Sequence, residues 1–355
     1  MRSQTEELMA IVTIIGIGQM GSALAFVAAE NGNLVRMVGT PVDKKVVEAC
    51  RKDGRHPKLD TPYPAGLQFY YCEQWQEAVQ GADFVIGAIS SYGVAWFLKD
   101  ILKKMDPSIP VLSAAKGLMD QPDGSLISYP TYWVQELRKK GIERDIYALG
   151  GPGTADGIIH RDPTQVVLCG KDSALLEMMK KALQTPWFQI SLTRDANGLE
   201  SAVAIKNAYA LGVSMALGFA NRKNAEANHF NSQAAVFYQA AKEMLRILNL
   251  QKADMDSALI GLGDLYVTST GARTRKLGLL LGEGKTVEEA QQILGIMTLE
   301  SLVIVRRLQK ALSIQAKNGL VKPEDFPLLH FVTDVLDGKP VEDLPWDRFT
   351  FQNLD

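Results

Sequence analysis

Cysteine and histidine are scarce in this chain of 355 residues: Cys50, Cys72 and Cys169 lie far apart, and His56, His160, His229 and His330 share no metal-ligand spacing. That excludes a disulfide framework or a metal centre written into the sequence. Charge of one sign is lacking too. The formal net charge is −2, with 22% charged residues, so no basic surface of the kind that holds nucleic acid or a polyanionic membrane is expected. An anionic small substrate stays compatible, because it needs only a local basic pocket. The opening MRSQTEELMA is polar and acidic, without the basic start and apolar stretch of a signal peptide, so a reducing, cytoplasmic setting is expected. One apolar run, 201–220, has the length of a membrane span, but Lys206 and Asn207 stand within it. Both would be costly in lipid, so the run reads as a core helix with no stable membrane insertion.

The length points to two domains. The first half alternates strand and helix patterns: IVTII at 11–15, a helical pattern from Met20 to Glu30 closed by Asn31-Gly32, and NLVRMV at 33–38. Thr40 is then expected to cap a helix with Pro41 at its first position. Further strand-like runs fall at 83–89, 110–114, 146–149, 164–169 and 188–192. Strands alternating with helices build a mostly parallel sheet covered on both faces. From about residue 195 the strand signals cease and helical patterns follow at 201–220, 232–249, 286–294 and 299–316. The expected fold is therefore α/β: an N-terminal Rossmann-like doubly wound parallel sheet (1–194), then an all-helical C-terminal domain (195–355).

Between the first strand and the first helix lies GIGQMG, with Gly16, Gly18 and Gly21 in GxGxxG spacing. In that setting the first glycine makes the tight turn, the second lets backbone approach a pyrophosphate, and the third lets helix and strand pack closely. The strand before and helix after give the motif its weight as a dinucleotide site. Specificity between the two nicotinamide dinucleotides is read near the end of the second strand, where Met37-Val38-Gly39-Thr40 offers no acid to repel a 2′-phosphate. NADP is favoured, with NAD still open. Arg36, Lys44, Lys45 and Arg55 are candidate phosphate partners, although each is better explained as a solvated charge.

Lys206 poses a different problem. A lysine on a helix is ordinarily a surface residue whose stem lies along the protein. Here Ala202, Val203, Tyr209 and Ala210, one turn away, are small or apolar, which gives no reason for an exposed charge. A buried amine whose pKa is lowered towards neutrality could accept and donate a proton.

Several ordered motifs now stand together: GIGQMGSALA at 16–25, Lys116-Gly117 after a strand, GGPGTA at 150–155, GLESAVAIKNAYAL at 198–211 and GLGDLYVTSTGARTRKLG at 261–278. With them the chain resembles the soluble NAD(P)-dependent glycerol-3-phosphate dehydrogenases over nearly its whole length. The resemblance implies Lys206 as general acid/base, with Lys116 and Asp264 as its catalytic companions. It places Lys116, Gly151, Asn207, Asp264, Thr268, Arg273 and Thr274 on the substrate side. On the cofactor side it implies Gln19, Met20, Ala155, Arg273 and Glu300 beside the turn glycines Gly16, Gly18 and Gly21, while Ser90 and Lys116 follow strand ends, where doubly wound sheets place ligands. Arg273 would grip a phosphate with its forked donors, while Arg275 and Lys276 are left as structural. Asp264, among glycines, would otherwise read as a turn or cap.

The chain departs from the family's pattern at three places. Ala272-Arg273-Thr274 stands where Ser-Arg-Asn is common, Gly153-Thr154 replaces a Ser-Phe pair, and Ser301 follows Glu300 where glycine is usual. The expected activity is interconversion of sn-glycerol 3-phosphate and dihydroxyacetone phosphate with NADP or NAD, in a homodimer that feeds phospholipid synthesis. Dehydrogenation of another phosphorylated polyol or of a β-hydroxyacid is the alternative, and a cofactor-binding sensor without turnover is a third.

Overall fold

The computed structural model describes residues 10–224, 229–271, 273–295, 299–340 and 342–351. They form two compact units: residues up to Lys116 with Tyr129–Ala196, and Gly117–Ser128 with Asn197 onwards.

The first unit is built on a sheet of eight strands. In chain order it runs β1 (Ile11–Ile15), α1 (Gln19–Glu30), β2 (Leu34–Val38), α2 (Lys44–Asp53), β3 (Gln68–Tyr70), α3 (Trp75–Val79), β4 (Phe84–Gly87), α4 (Val94–Trp96) and β5 (Val111–Ser113). After the excursion of β6 (Leu118–Asp120) and β7 (Leu126–Ser128), which belong to the second unit, come α5 (Tyr129–Arg138), β8 (Ile146–Gly150), α6 (Ala155–Ile159), β9 (Thr164–Cys169), α7 (Ser173–Leu183) and β10 (Phe188–Thr193). The sheet order is β10-β9-β8-β5-β4-β1-β2-β3. All neighbours are parallel except β8 and β9. β1 and β4 are fully buried but for Ile11, as befits central strands covered on both faces. The order reverses at β1, so the carboxyl ends of β1 and β4 flank the switch point where such sheets hold ligands.

One boundary differs from the sequence reading. The helix after β2 starts at Lys44, not at Pro41, because the Asp43 carboxylate accepts from the Thr40 amide (2.9 Å) and the Thr40 hydroxyl (2.6 Å). Those bonds, with Asp43 N–H donating to the Thr40 carbonyl, fold residues 40–43 into a turn.

The second unit is helical, with α8 (Ala196–Lys223), α9 (Phe230–Leu250), α10 (Met255–Gly271), α11 (Arg273–Gly282), α12 (Val287–Leu294), α13 (Glu300–Lys317) and α14 (Pro327–Leu336). α8 is long and apolar enough to span a membrane, yet 94% of its apolar window is buried in the protein. It is the central core helix. α9 fixes the start of α14 through the buried Glu243, whose carboxylate accepts from the Leu328 and Leu329 amides at 2.7 and 3.1 Å and from Gln239 Nε2 at 2.7 Å. This satisfies helix-end donors that would otherwise be orphaned. The β6–β7 hairpin lies on α13, where Arg307 donates to the Leu118 carbonyl, Lys310 meets Asp120 at 2.6 Å, and Gln315 donates to the Gly124 carbonyl at 2.7 Å.

Candidate active site

In the first unit the glycine turn follows β1 directly. Gly16 has φ +114°, and a Cβ there would lie 2.2 Å from the Ala88 carbonyl oxygen. At Gly21 a Cβ would sit 2.0 Å from the Gly16 carbonyl oxygen, whereas at Gly18 it would meet nothing within 4 Å. Two of the three glycines are thus demanded by the protein itself, and the third faces open space. α1 begins at Gln19 with no side-chain cap and no acid in its first turn. Its leading amides and positive end are therefore offered outward, an arrangement that fits a pyrophosphate. Gln19 is exposed and Met20 half-buried beside them.

Other carboxyl ends of the parallel strands bring further residues to the same side of the sheet. Ser90 follows β4 and is exposed; Lys116 follows β5 and is half-buried. Lys116 Nζ donates to the Gly151 carbonyl just beyond β8 at 3.2 Å, tying two strand ends together. Gly151 has φ +132°, and the loop runs on to Thr154, whose hydroxyl caps α6 by accepting from the Gly157 amide at 3.1 Å. Ala155 opens that helix. Near the end of β2 the four basic candidates separate. The Arg36 guanidinium is spent on the Ala78 and Gln80 carbonyls, at 3.2 and 2.6 Å, and Arg55 reaches the Asp60 carbonyl at 3.5 Å. Lys44 and Lys45 are exposed at the start of α2.

In the second unit Lys206 is buried, 7% exposed, in the middle of α8. Its Nζ donates to Asp264 Oδ1 at 2.8 Å and to Thr268 Oγ1 at 2.5 Å. Asp264 is fully buried, and both acceptors lie on one face of α10, four residues apart. Asp264 is thus mid-helix, not in a turn or at a helix end. The two helices approach closely because Gly261 of α10 faces Ala202 of α8, where a Cβ on Gly261 would come within 2.6 Å of the alanine methyl. Asn207 is buried next to Lys206 in the chain. Arg273, the first residue of α11, is exposed and makes no hydrogen bond or ion pair among the described residues, while Thr274 behind it is buried. Arg275 instead donates to the Ser269 carbonyl at 2.8 Å, holding the last turn of α10. Glu300 is half-buried at the start of α13, and the buried Ser301 hydroxyl after it has no hydrogen-bond partner among the described residues.

Two buried polar groups carry no local sequence signal. Glu200, in α8, is fully buried against the Ser128 hydroxyl, and burial pushes its carboxyl up to about 8. His56 lies in the loop after α2, 4% exposed, with the Lys58 amide donating to its Nδ1 at 3.0 Å, and burial lowers its pKa.

A doubly wound parallel sheet with an uncapped glycine turn at its switch point, followed by a helical unit holding a buried lysine–carboxylate pair, defines a nicotinamide-dinucleotide-dependent dehydrogenase class. Family models described as the N-terminus and C-terminus of NAD-dependent glycerol-3-phosphate dehydrogenase match residues 11–176 and 195–345. The chain is 31% identical over 348 residues to the NADP(+)-dependent glycerol-3-phosphate dehydrogenase of Archaeoglobus fulgidus, covering 96% of this chain and 100% of the relative. It is 27% identical to the glycerol-3-phosphate dehydrogenase [NAD(P)+] of Myxococcus xanthus, with coverage of 96% and 97%. The crystal structure of glycerol-3-phosphate dehydrogenase from Coxiella burnetii shares the fold, with a TM-score of 0.78, 22% identity, and coverage of 96% of this chain and 98% of that one. This chain belongs to the NAD-dependent glycerol-3-phosphate dehydrogenase family.

Proposed function

We propose that the protein interconverts sn-glycerol 3-phosphate and dihydroxyacetone phosphate with NADP or NAD, and that Lys206 is the general acid/base. The observation that carries this reading is the Lys206 amine, buried and held at 2.8 Å from Asp264 and 2.5 Å from Thr268. When bound, the dinucleotide supplies or accepts the hydride at its nicotinamide C4. In the reducing direction Lys206 gives a proton to the oxygen of the former ketone, and in the oxidising direction it takes the hydroxyl proton back. Asp264 compensates the ammonium, and with Thr268 fixes where Nζ points. Asn207 and Lys116 orient the substrate oxygen, Gly151 contributes the backbone that Lys116 already engages, and Arg273 with Thr274 holds the phosphate.

Gly16, Gly18 and Gly21 shape the cradle for the pyrophosphate, with Gln19 and Met20 at the helix start above it. Ser90, Lys116 and Ala155 of the first unit, and Arg273 and Glu300 of the second, are the cofactor's further contacts in this reading. The preference is for NADP, supported by two exposed lysines at the start of α2 and by Asp43 being bound to Thr40. The division of labour is cofactor binding in residues 1–194 and substrate binding with proton transfer in 195–355. A cytoplasmic homodimer is part of this reading. Exposed Met255, Leu259 and Tyr266 along the outer face of α10 support a face shared by two copies, and sedimentation of the purified protein tests it.

The deciding experiment is a panel assay with NADPH and NADH, each against dihydroxyacetone phosphate, glyceraldehyde 3-phosphate and longer phosphorylated ketoses. The reading expects dihydroxyacetone phosphate to be turned over best and NADPH to be the better donor. Turnover of another ketose alone would replace the substrate.

A further inference from the structure

We propose that Tyr63 and Ser22 are positioning residues for the dinucleotide: a hydrogen-bond relay from the Tyr63 phenol through the Ser22 hydroxyl to the Gly18 carbonyl aims the Gln19 amide, the first of α1, at the pyrophosphate. The proposal rests on the dinucleotide reading above and adds two residues that the glycine spacing does not contain.

The relay has a direction. Ser22 Oγ lies 2.8 Å from the Gly18 carbonyl oxygen, which can only accept, so the serine proton is committed there. The Tyr63 hydroxyl, 2.6 Å from Ser22 Oγ, is then the donor to the serine. Burial raises the Tyr63 pKa above the ordinary phenol value, which keeps that donor protonated. The Gly18 carbonyl thus takes two bonds from one residue, the second from the Ser22 amide at 2.9 Å.

Gly18 is the N-cap of α1. Across a trans peptide its C=O and the Gln19 N–H point in opposite directions. A carbonyl drawn along α1 therefore leaves the Gln19 amide facing out of the helix end, among donors that no intrahelical carbonyl reaches. Each bond in such a chain polarises the next, so the phenol also strengthens that amide as a donor to an anion.

Tyr63 is held from outside the motif. Its amide donates to the Gly54 carbonyl at 2.9 Å, closing the loop that follows α2. Its ring, 8% exposed, packs between Phe26 of α1 and Phe69 of β3, with ring centres 5.4 and 5.2 Å away. Phenylalanine would serve that packing equally well. What the hydroxyl adds is its bond to the fully buried Ser22, which fixes the serine in the rotamer that meets Gly18.

The test is calorimetric titration of NADP+ and of NAD+ into the full-length protein without substrate, with urea unfolding of the same samples, for wild type, Tyr63→Phe, Ser22→Ala and the double variant. Ser22→Ala deletes the centre of the relay and strands a buried phenol, so it should lower the urea midpoint and raise both Kd values about three- to tenfold. Tyr63→Phe keeps the packing and should raise both about two- to threefold. Neither partner is left unpaired in the double variant, so its urea midpoint should return most of the way to wild type while its Kd values stay as in Ser22→Ala. The kcat of each variant at saturating NADPH should stay within about threefold of wild type. Recovery of affinity together with stability would make the relay a structural bond only and overturn the proposal. Unchanged affinity in Ser22→Ala would overturn it too, as would a loss confined to NADP+, since the two dinucleotides share the pyrophosphate. Should Ser22→Ala not fold, Tyr63→Phe and the double variant decide: weaker binding at a near-wild-type urea midpoint supports the relay, and wild-type affinity in both refutes it. A wild type that binds neither NADP+ nor NAD+ would instead remove the dehydrogenase reading itself.

Discussion

Replacing Lys206 with methionine separates what the amine does for stability from what it does for turnover. At 2.8 Å from Asp264, and with an effective dielectric of about 20, the attraction between the two charges is roughly 6 kcal/mol. Desolvation of each ion costs several kcal/mol, so the pair as a whole contributes little net stability. Removing one member is another matter. Asp264 is fully buried, and without the ammonium its carboxylate keeps its desolvation cost but loses the ion-pair partner at 2.8 Å, a loss of roughly 3–5 kcal/mol. Lys206→Met should therefore lower the urea midpoint clearly, and the double variant Lys206→Met/Asp264→Leu should recover most of that loss. Turnover should not recover. Dihydroxyacetone phosphate-dependent oxidation of NADPH, followed by absorbance, should fall by a factor on the order of 10² or more in both variants, while NADP+ affinity stays near wild type. Wild-type turnover in Lys206→Met would remove the lysine from the chemistry. Equal stability of the single variant and wild type would refute the buried-pair argument.

Other outcomes follow from the same geometry. Arg273→Ala should cut kcat/KM by about 10- to 100-fold, as expected for losing charge-assisted bonds to a phosphate; a loss no larger for phosphate-bearing than for phosphate-free ketones would take Arg273 off the substrate. A methyl at Gly18 meets no protein atom within 4 Å, so Gly18→Ala should melt like wild type yet bind NADP+ at least tenfold more weakly. Unaltered binding there would mean that the open space is not where the pyrophosphate lies. Glu200 retains its proton in the folded state up to about pH 8, because burial raises its carboxyl well above the ordinary value of 4.5. Its contribution to stability is therefore full below about pH 4.5 and is lost as pH rises through about 8, at up to about 1.4 kcal/mol per unit. Glu200→Gln should flatten that slope and gain stability relative to wild type near pH 8, and parallel pH–stability curves would contradict the assignment.

The glycine turn was readable because Gly16 and Gly21 answer to contacts within a short βαβ unit, where spacing and geometry coincide. Lys206 was readable because a charge breaks an apolar helix. α10 was not: its Gly-Leu-Gly and its β-branched Val267-Thr268 run have poor helical propensity, and the helix is made by packing Gly261 on Ala202 and by the bonds to Lys206. The same reason hid the mid-helix setting of Asp264. β3 escaped notice as three residues at the sheet edge, and the start of α2 moved because the Asp43 side chain competes with a helical turn for the Thr40 amide. Glu200 finds its partner in a segment distant in sequence, the end of β7, and no periodicity foretells such a meeting.

The hairpin that leaves the sheet between β5 and α5 has consequences for biosynthesis. Its bonds to α13 join residues 189 to 191 positions apart. During synthesis at about 5–20 residues per second, the hairpin emerges roughly 10–40 s before the helix that receives it. Until then Asp120 has no lysine or arginine of α13 to meet, and the helical unit cannot close its own core with what has been made. That contact must wait for α13 whatever the speed of the rest. A fragment beginning at residue 195 would present Arg307, Lys310 and Gln315 to water with no hairpin to bind.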